Sequence, residues 1–308
     1  MRHTRAAAPA FARCCLLVIL VSVVPGLGAW QWPVSQPRIT GTFGQDVGGY
    51  LLRGVQLGGE RQPVRPVDAG IVVASHADRR GADRAGTTFL SGLGSYVVID
   101  HHRSFRSIYA HLETDEHLPA IGRMVDVDTR IGTMGTSGQI PARGLRLYVI
   151  DLTNGEYVNP FLLLPNVPDR APPRIGAIYA RRDGALYDLR VVRNLPPGQY
   201  DVAAEVTDRF ATTAGSAVVA PYSVRFVVSG QEVFRLRSDR MSVHADGTRI
   251  EPGAIRHADL YDADGLIRLG SFSIGSQPAS LEISVRDFAG AEVSWRATVA
   301  GATDEDVQ

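Results

Sequence analysis

Apolar residues in this chain come in short runs separated by turn signals, and the runs carry the period of strands. GIVVA at 70–74, SYVVID at 95–100 and LRLYVID at 145–151 are brief, rich in β-branched residues and bounded by glycine or polar clusters. RSIYAH at 106–111 alternates more loosely. Glycines crowd the region from Gly41 to Gly138 at a density suited to tight turns. No stretch holds a helical period over three turns, so the pattern predicts an all-β protein.

A composition shift at PNVPDRAPP, residues 165–173, reads as a proline-stiffened linker. Beyond it, strands are expected at 187–192, 200–207, 222–228, 231–237, 266–274, 281–287 and 292–299, with turns at Pro196-Pro197-Gly198 and Asp264-Gly265. That spacing suggests an immunoglobulin-like β-sandwich over 174–300. In it, the alternation of Tyr222, Val224, Phe226 and Val228 points to core rather than to a binding face. The last residues, 301–308, are polar and acidic and read as a disordered tail.

The N-terminus changes the picture of where the protein works. Arg2, Arg5 and Arg13 precede an apolar run from Cys14 to Val24, and small residues follow to Ala29. A basic segment, a short apolar segment and small residues describe a secretory signal over 1–29, with export to the periplasm or cell envelope. The run is short for a membrane span, with an uncleaved N-terminal anchor as the alternative to a cleaved signal, and no other segment is apolar enough to cross. Both cysteines, Cys14 and Cys15, lie inside the signal, so the mature chain holds neither a disulfide nor a thiol nucleophile. Basic and acidic residues balance at 32 each, and every basic one is Arg. Such balance argues against nucleic acid as the main partner.

Candidate chemistry comes from a series of motifs in fixed order. RITGTFG at 38–44, VRPVDAGIVVA at 64–74, GLGSYVVIDH at 92–101, IYAHL at 108–112, VDTRIGTMGTSG at 127–138 and NGEYVNP at 154–160 follow one another over about 125 residues. Together they resemble the LytM or lysostaphin-like zinc peptidoglycan endopeptidases, which implies a LytM-type β domain (a duplicated hybrid motif) over 30–165. In that family a His and an Asp of one motif and the second His of another hold zinc, and two further histidines assist catalysis. A catalytic zinc needs three protein ligands and an open position for water, whose pKa it lowers.

The resemblance places Leu52 and Gln56 at the first two ligand positions and Tyr148 at the third. Arg146 stands at one assisting histidine position, and His111 alone retains the other. Leu offers no lone pair, a neutral amide oxygen is a poor zinc ligand, and Tyr would have to lose its proton. Arg146 adds a fixed positive charge that opposes a cation. His76, His101, His102 and Asp46 are the nearest replacement donors in sequence. The neighbours His101 and His102 would point to opposite faces of a strand, and His76 reads as a loop residue. No GxSxG, phosphate loop or HExxH is present, and Asp126 with Asp128 and Asp262 with Asp264 read as turn acids.

The expectation is therefore a non-catalytic envelope protein that holds no metal. It would bind peptidoglycan or regulate a cell-wall hydrolase, as some ligand-less LytM-type domains activate cell-wall amidases. The alternative is a zinc endopeptidase with an atypical site drawing on His111, His101 or His102. A third possibility is an adaptor working through Tyr222, Phe226, Phe234 and Arg235 of the second domain.

Overall fold

The computed structural model describes residues 30–78, 92–114, 116–212 and 215–302. The expected signal at 1–29 and residues 303–308 of the expected tail lie outside them. Within the described residues the regular secondary structure is almost entirely strand. The helical turns are His102–Ser104, Pro160–Leu162 and the four-residue His257–Leu260.

The first half builds one large antiparallel sheet. Its strands run Met124–Val125, Gly70–His76, Ser95–His101, Phe105–Leu112 and Gly144–Asp151 in spatial order. Two strands share the far edge of Gly144–Asp151. Gly54–Gly58 pairs with its first part, and Glu156–Val158 with its last. Side chains alternate between faces along each strand, and directly paired residues share a face. Val55, Leu57, Val97, Ile99, Tyr109, Leu145 and Leu147 thus point to one side, where they pack with Ile39, Val64, Val67, Ile131 and Met134. Each such aliphatic side chain contributes about 1.5–3 kcal/mol by leaving water. Trp30 and Trp32 pack onto this core, and the Trp32 indole N–H donates to the Pro165 carbonyl at 2.8 Å.

The second half contains two sheets facing a common core. One orders Ala185–Asp188, Arg174–Arg182, Gly198–Thr212 and Gly215–Val219, with Ile267–Ile274 also paired to Gly198–Thr212. The other orders Asn194–Leu195, Glu292–Gly301, Ala279–Arg286, Ser223–Val228 and Gln231–Arg237. Val224 and Phe226 are buried between them, and Phe234 packs on that core.

Four expectations need correction. The sandwich is not self-contained over 174–300. A hairpin of Arg240–His244 and Gly247–Glu251, followed by Ile255–Arg256, leaves it and extends the first sheet by pairing with Glu156–Val158. That covers an edge which would otherwise present unpaired backbone groups. Nor is 166–173 a free spacer, because Val167 is buried and the Arg170 N–H donates to the Ala211 carbonyl. The expected tail also starts late: Gly301 closes a strand and Ala302 is buried. The run at 187–192 is strand only to Asp188, and then turns.

The two halves also trade core residues. Phe43 and Leu51 enter the core of the second half, while Phe210 and Val219 enter that of the first. The loop between Thr42 and Leu52 is clamped accordingly. The Thr42 hydroxyl donates to the Ala220 carbonyl at 2.9 Å, and Asp46 Oδ1 lies 2.8 Å from His257 Nε2.

Candidate functional site: a row of side chains on the open face of the first sheet

The residues singled out in the sequence gather on the face opposite the first core. Backbone pairing aligns Gln56, Arg146, Ala110, Tyr96 and His76 in one row across five strands. Tyr148, two residues from Arg146, stands in the next row opposite Gly54. The sheet register thus brings Gln56, Arg146 and Tyr148 together.

Arg146 fills the middle of this row. Its Nε–H donates to Gln56 Oε1 at 3.0 Å, and Arg146 is buried. Tyr148 is buried beside it. Burial pushes its hydroxyl above the ordinary range, against the opposing pull of Arg146 and Arg53. Tyr148 meets Tyr157 edge to face, and Arg53 lies 4.9 Å over the Tyr157 ring. Tyr157 in turn packs on the core containing Met241 and Ile250, so the second half closes this end of the face. Leu52 is 2 % exposed, at the end of the clamped loop.

His111 sits on a bulge. The pairing skips it between Tyr96↔Ala110 and Ser95↔Leu112, and its φ is 67°, a conformation uncommon outside glycine. Its N–H donates to the Leu93 carbonyl, and Nδ1 lies 2.9 Å from the Ser137 carbonyl. A carbonyl only accepts, so Nδ1 carries the proton and Nε2 keeps its lone pair. Nε2 is buried with no hydrogen-bond partner. Burial lowers the imidazole pKa to about 4, and the Arg146 charge adds to that.

Two glycines make this geometry possible. Gly94 and Gly138 both have positive φ, and a Cβ on Gly94 would come within 2.3 Å of Ser137 Oγ. Ser137 locks the crossing by accepting the Ser95 N–H and donating to the Leu112 carbonyl. Ser137 had been legible only as one position in a turn motif; its role depends on this crossing.

Of the other candidate histidines, His101 and His102 do not join the row. His101 is on the core face, with Nδ1 3.0 Å from the Ala69 carbonyl and Nε2 2.6 Å from Ser107 Oγ. Ser107 Oγ is 2.9 Å from the Tyr109 hydroxyl, which accepts the Val67 N–H. Burial lowers the His101 pKa, against the opposing pull of the Ala69 carbonyl and of Asp68 and Asp100. His101 and His111 lie at opposite ends of paired strands, about six residues or ~20 Å apart. His102 is exposed in the turn that follows. His76 ends the row, stacked on Tyr96 and 3.0 Å from Asp78 Oδ1. Asp46 is engaged by His257.

Zinc does not fit these side chains. Leu52 has no donor, the Gln56 oxygen is taken by a cationic partner, and the Tyr148 hydroxyl is held protonated. Among the described residues, no three His, Cys, Asp or Glu donors converge on this face.

Comparison with known proteins agrees with this architecture. Residues 51–160 match the family model "Peptidase family M23", and this part of the chain is a LytM-like domain. A second family model, which carries no descriptive name, matches residues 172–300. The murein hydrolase activator NlpD of Escherichia coli is 28% identical over 141 residues, covering 45% of this chain and 32% of that protein. The lipoprotein NlpD/LppB homolog of Pseudomonas aeruginosa is 30% identical over 142 residues, covering 46% and 41%. The chain thus spans roughly a third of the length of the first of these relatives. Among solved structures, the catalytic domain of lysostaphin from Staphylococcus simulans is 16% identical with a TM-score of 0.32, covering 42% of this chain and 90% of that one.

Proposed function

We propose that this is a non-catalytic protein of the cell envelope whose LytM-like face binds peptidoglycan or a cell-wall hydrolase without cutting. The observation that carries this reading is the Arg146–Gln56 bond. A fixed cation stands beside the positions that the family resemblance assigns to metal ligands, and it is already satisfied by one of them, Gln56. The likeness to murein hydrolase activators supports a regulatory role, with a cell-wall amidase as partner. Among the described residues no helix is long and apolar enough to cross a membrane.

The test is an assay of the chain from residue 30 on purified peptidoglycan, with and without chelator and with and without an envelope amidase. Stimulated amidase activity or cosedimentation with peptidoglycan, without crosslink cleavage by the chain itself, is the expected result. Chelator-sensitive cleavage of crosslinks by the chain alone overturns it.

One observation favours a second reading: the buried, unpartnered lone pair of His111 Nε2. A peptidase with an atypical site would use it. Stoichiometric zinc in the purified chain, lost in His111→Ala, would support that enzyme reading over the first.

A further inference from the structure

Away from the LytM-like face, three carboxylates meet where the 166–173 segment crosses the sandwich. Asp169 lies in that segment, Asp208 in the strand Gly198–Thr212 of one sheet, and Asp287 just beyond the strand Ala279–Arg286 of the other. One oxygen from each lies within 4.8 Å of the others. Asp208 and Asp287 are each only 1% exposed.

The hydrogen bonding of the group is lopsided. Asp169 Oδ1 accepts the N–H groups of Ala171 and Ala211 at 3.1 and 2.9 Å. Asp287 Oδ1 accepts the Ala291 N–H at 2.8 Å. These bonds orient both carboxylates. The remaining oxygens, Asp169 Oδ2, Asp287 Oδ2 and both of Asp208, are buried with no partner. Asp208 is thus a fully unpartnered side chain, more than nine-tenths buried and aimed into the cluster. Burial, then the like charges of Asp169 and Asp287, push its carboxyl up to about 7, with the Arg209 backbone N–H as the smaller opposing influence.

Buried charge persists when it is paired or bound to a metal. Oxygens seated ~2.4 Å from a calcium ion lie up to ~4.8 Å apart on opposite sides of it. The donor set is all carboxylate, with no His or Cys, which selects a hard cation. Ligands from three separate segments suit the irregular shell of calcium better than the strict octahedron of magnesium. We propose that Asp169, Asp208 and Asp287 bind a calcium ion that clasps the 166–173 segment to both sheets of the sandwich. Carbonyls and waters complete its shell.

The experiment is calorimetric titration of CaCl2 into chelator-stripped chain from residue 30, alongside thermal melts with and without calcium. One saturable site and a melting temperature raised by calcium are expected. Asp208→Asn and Asp287→Asn should each weaken binding at least tenfold and abolish the thermal shift. Should one of them fail to fold, the other supplies the comparison. No saturable binding up to about 10 mM calcium, beyond the range of weak extracellular sites, by cooperatively melting protein overturns the proposal. So does binding that neither substitution weakens, or magnesium binding at equal affinity.

Discussion

Arg146 and Gln56 face one another on paired strands, and the Arg146 Nε–H donates to Gln56 Oε1 at 3.0 Å. Arg146 is buried and Gln56 half-buried, and each supplies what the other lacks. The guanidinium needs an oxygen acceptor, and the amide oxygen needs a donor. Replacing Arg146 by Met keeps the bulk and strands the Gln56 oxygen. The expected cost is about 1–3 kcal/mol, measured by denaturant unfolding. Removing the charge also relieves His111, so its imidazole should titrate nearer its ordinary range by NMR.

His111 gives a signed pH dependence. Its folded pKa, about 4, lies below the unfolded value of 6.5. Between those values the unfolded chain binds the proton more readily, so stability is complete above pH 6.5 and is lost as pH falls toward 4. The loss reaches at most about 3 kcal/mol. His101, also depressed by burial, acts in the same direction. With no calcium bound, Asp208, raised to about 7, acts in the opposite one, because its protonated form is then favoured in the fold. Comparing the stability of wild type and His111→Asn from pH 7 to 4 isolates the first effect. The difference should shrink as the pH falls. A constant difference would mean His111 is not held neutral.

Gly94 is required by a close crossing. An alanine there would put its Cβ 2.3 Å from Ser137 Oγ and 2.4 Å from the Ser137 carbonyl carbon, at a φ of 63°. Backbone cannot yield as a side-chain tip can. Gly94→Ala should cost ~1–3 kcal/mol or more and displace the Ser137 carbonyl from His111 Nδ1. Loss of the imidazole N–H hydrogen bond in the NMR spectrum would report the displacement. An unaltered His111 signal would show that the crossing does not set its tautomer.

How far the fold could be read in advance depended on local pattern. Ser95–His101 and Gly144–Asp151 were legible because their apolar runs are nearly unbroken. Arg174–Arg182 was not, since a register shift between Ile175 and Ile178 breaks its alternation. The hairpin at 240–251 did carry a signal, Asp246-Gly247 between short strands. Met241 and Ile250 are its main core residues, and they are buried against residues distant in sequence. At the LytM-like face the motifs located Gln56, Arg146, Tyr148 and His111, because strand register follows from their spacing. They did not reveal the bulge that turns His111, nor the closure by the second half. The Asp169, Asp208 and Asp287 cluster leaves no local trace at all, as its members come from three separate segments.

The interlocked cores predict that the first half does not stand alone. A chain ending at residue 165 loses the pairing of Tyr157 and Val158 with Met241 and Arg240, together with the Arg240–Asp151 ion pair at 3.0 Å. It also exposes Phe43 and Leu51, now buried in the partner core. Each would return about 1.5–3 kcal/mol of apolar surface to water. The truncated chain should melt at lower temperature, bind a hydrophobic dye and associate through its bared edge. A monomer that melts at the same temperature as the full chain would refute this.

The sharpest test of the site is to rebuild it. If Leu52, Gln56 and Tyr148 occupy the family's ligand positions, the triple variant Leu52→His, Gln56→Asp and Tyr148→His supplies three zinc donors on the existing scaffold. Arg146 would then lie beside the metal, since its Nε now contacts the residue at position 56. Repulsion between a guanidinium and a divalent ion a few ångströms away amounts to several kcal/mol at an effective dielectric of ~20. The triple variant should therefore hold zinc weakly, and adding Arg146→His should tighten binding at least tenfold. Metal content after dialysis and competition with a chelator measure both. Equal zinc affinity with and without Arg146 would show that its charge does not guard the row. Failure of the folded quadruple variant to bind zinc would dissociate these four residues from the ligand positions, and with them the reading of this face as a converted peptidase site.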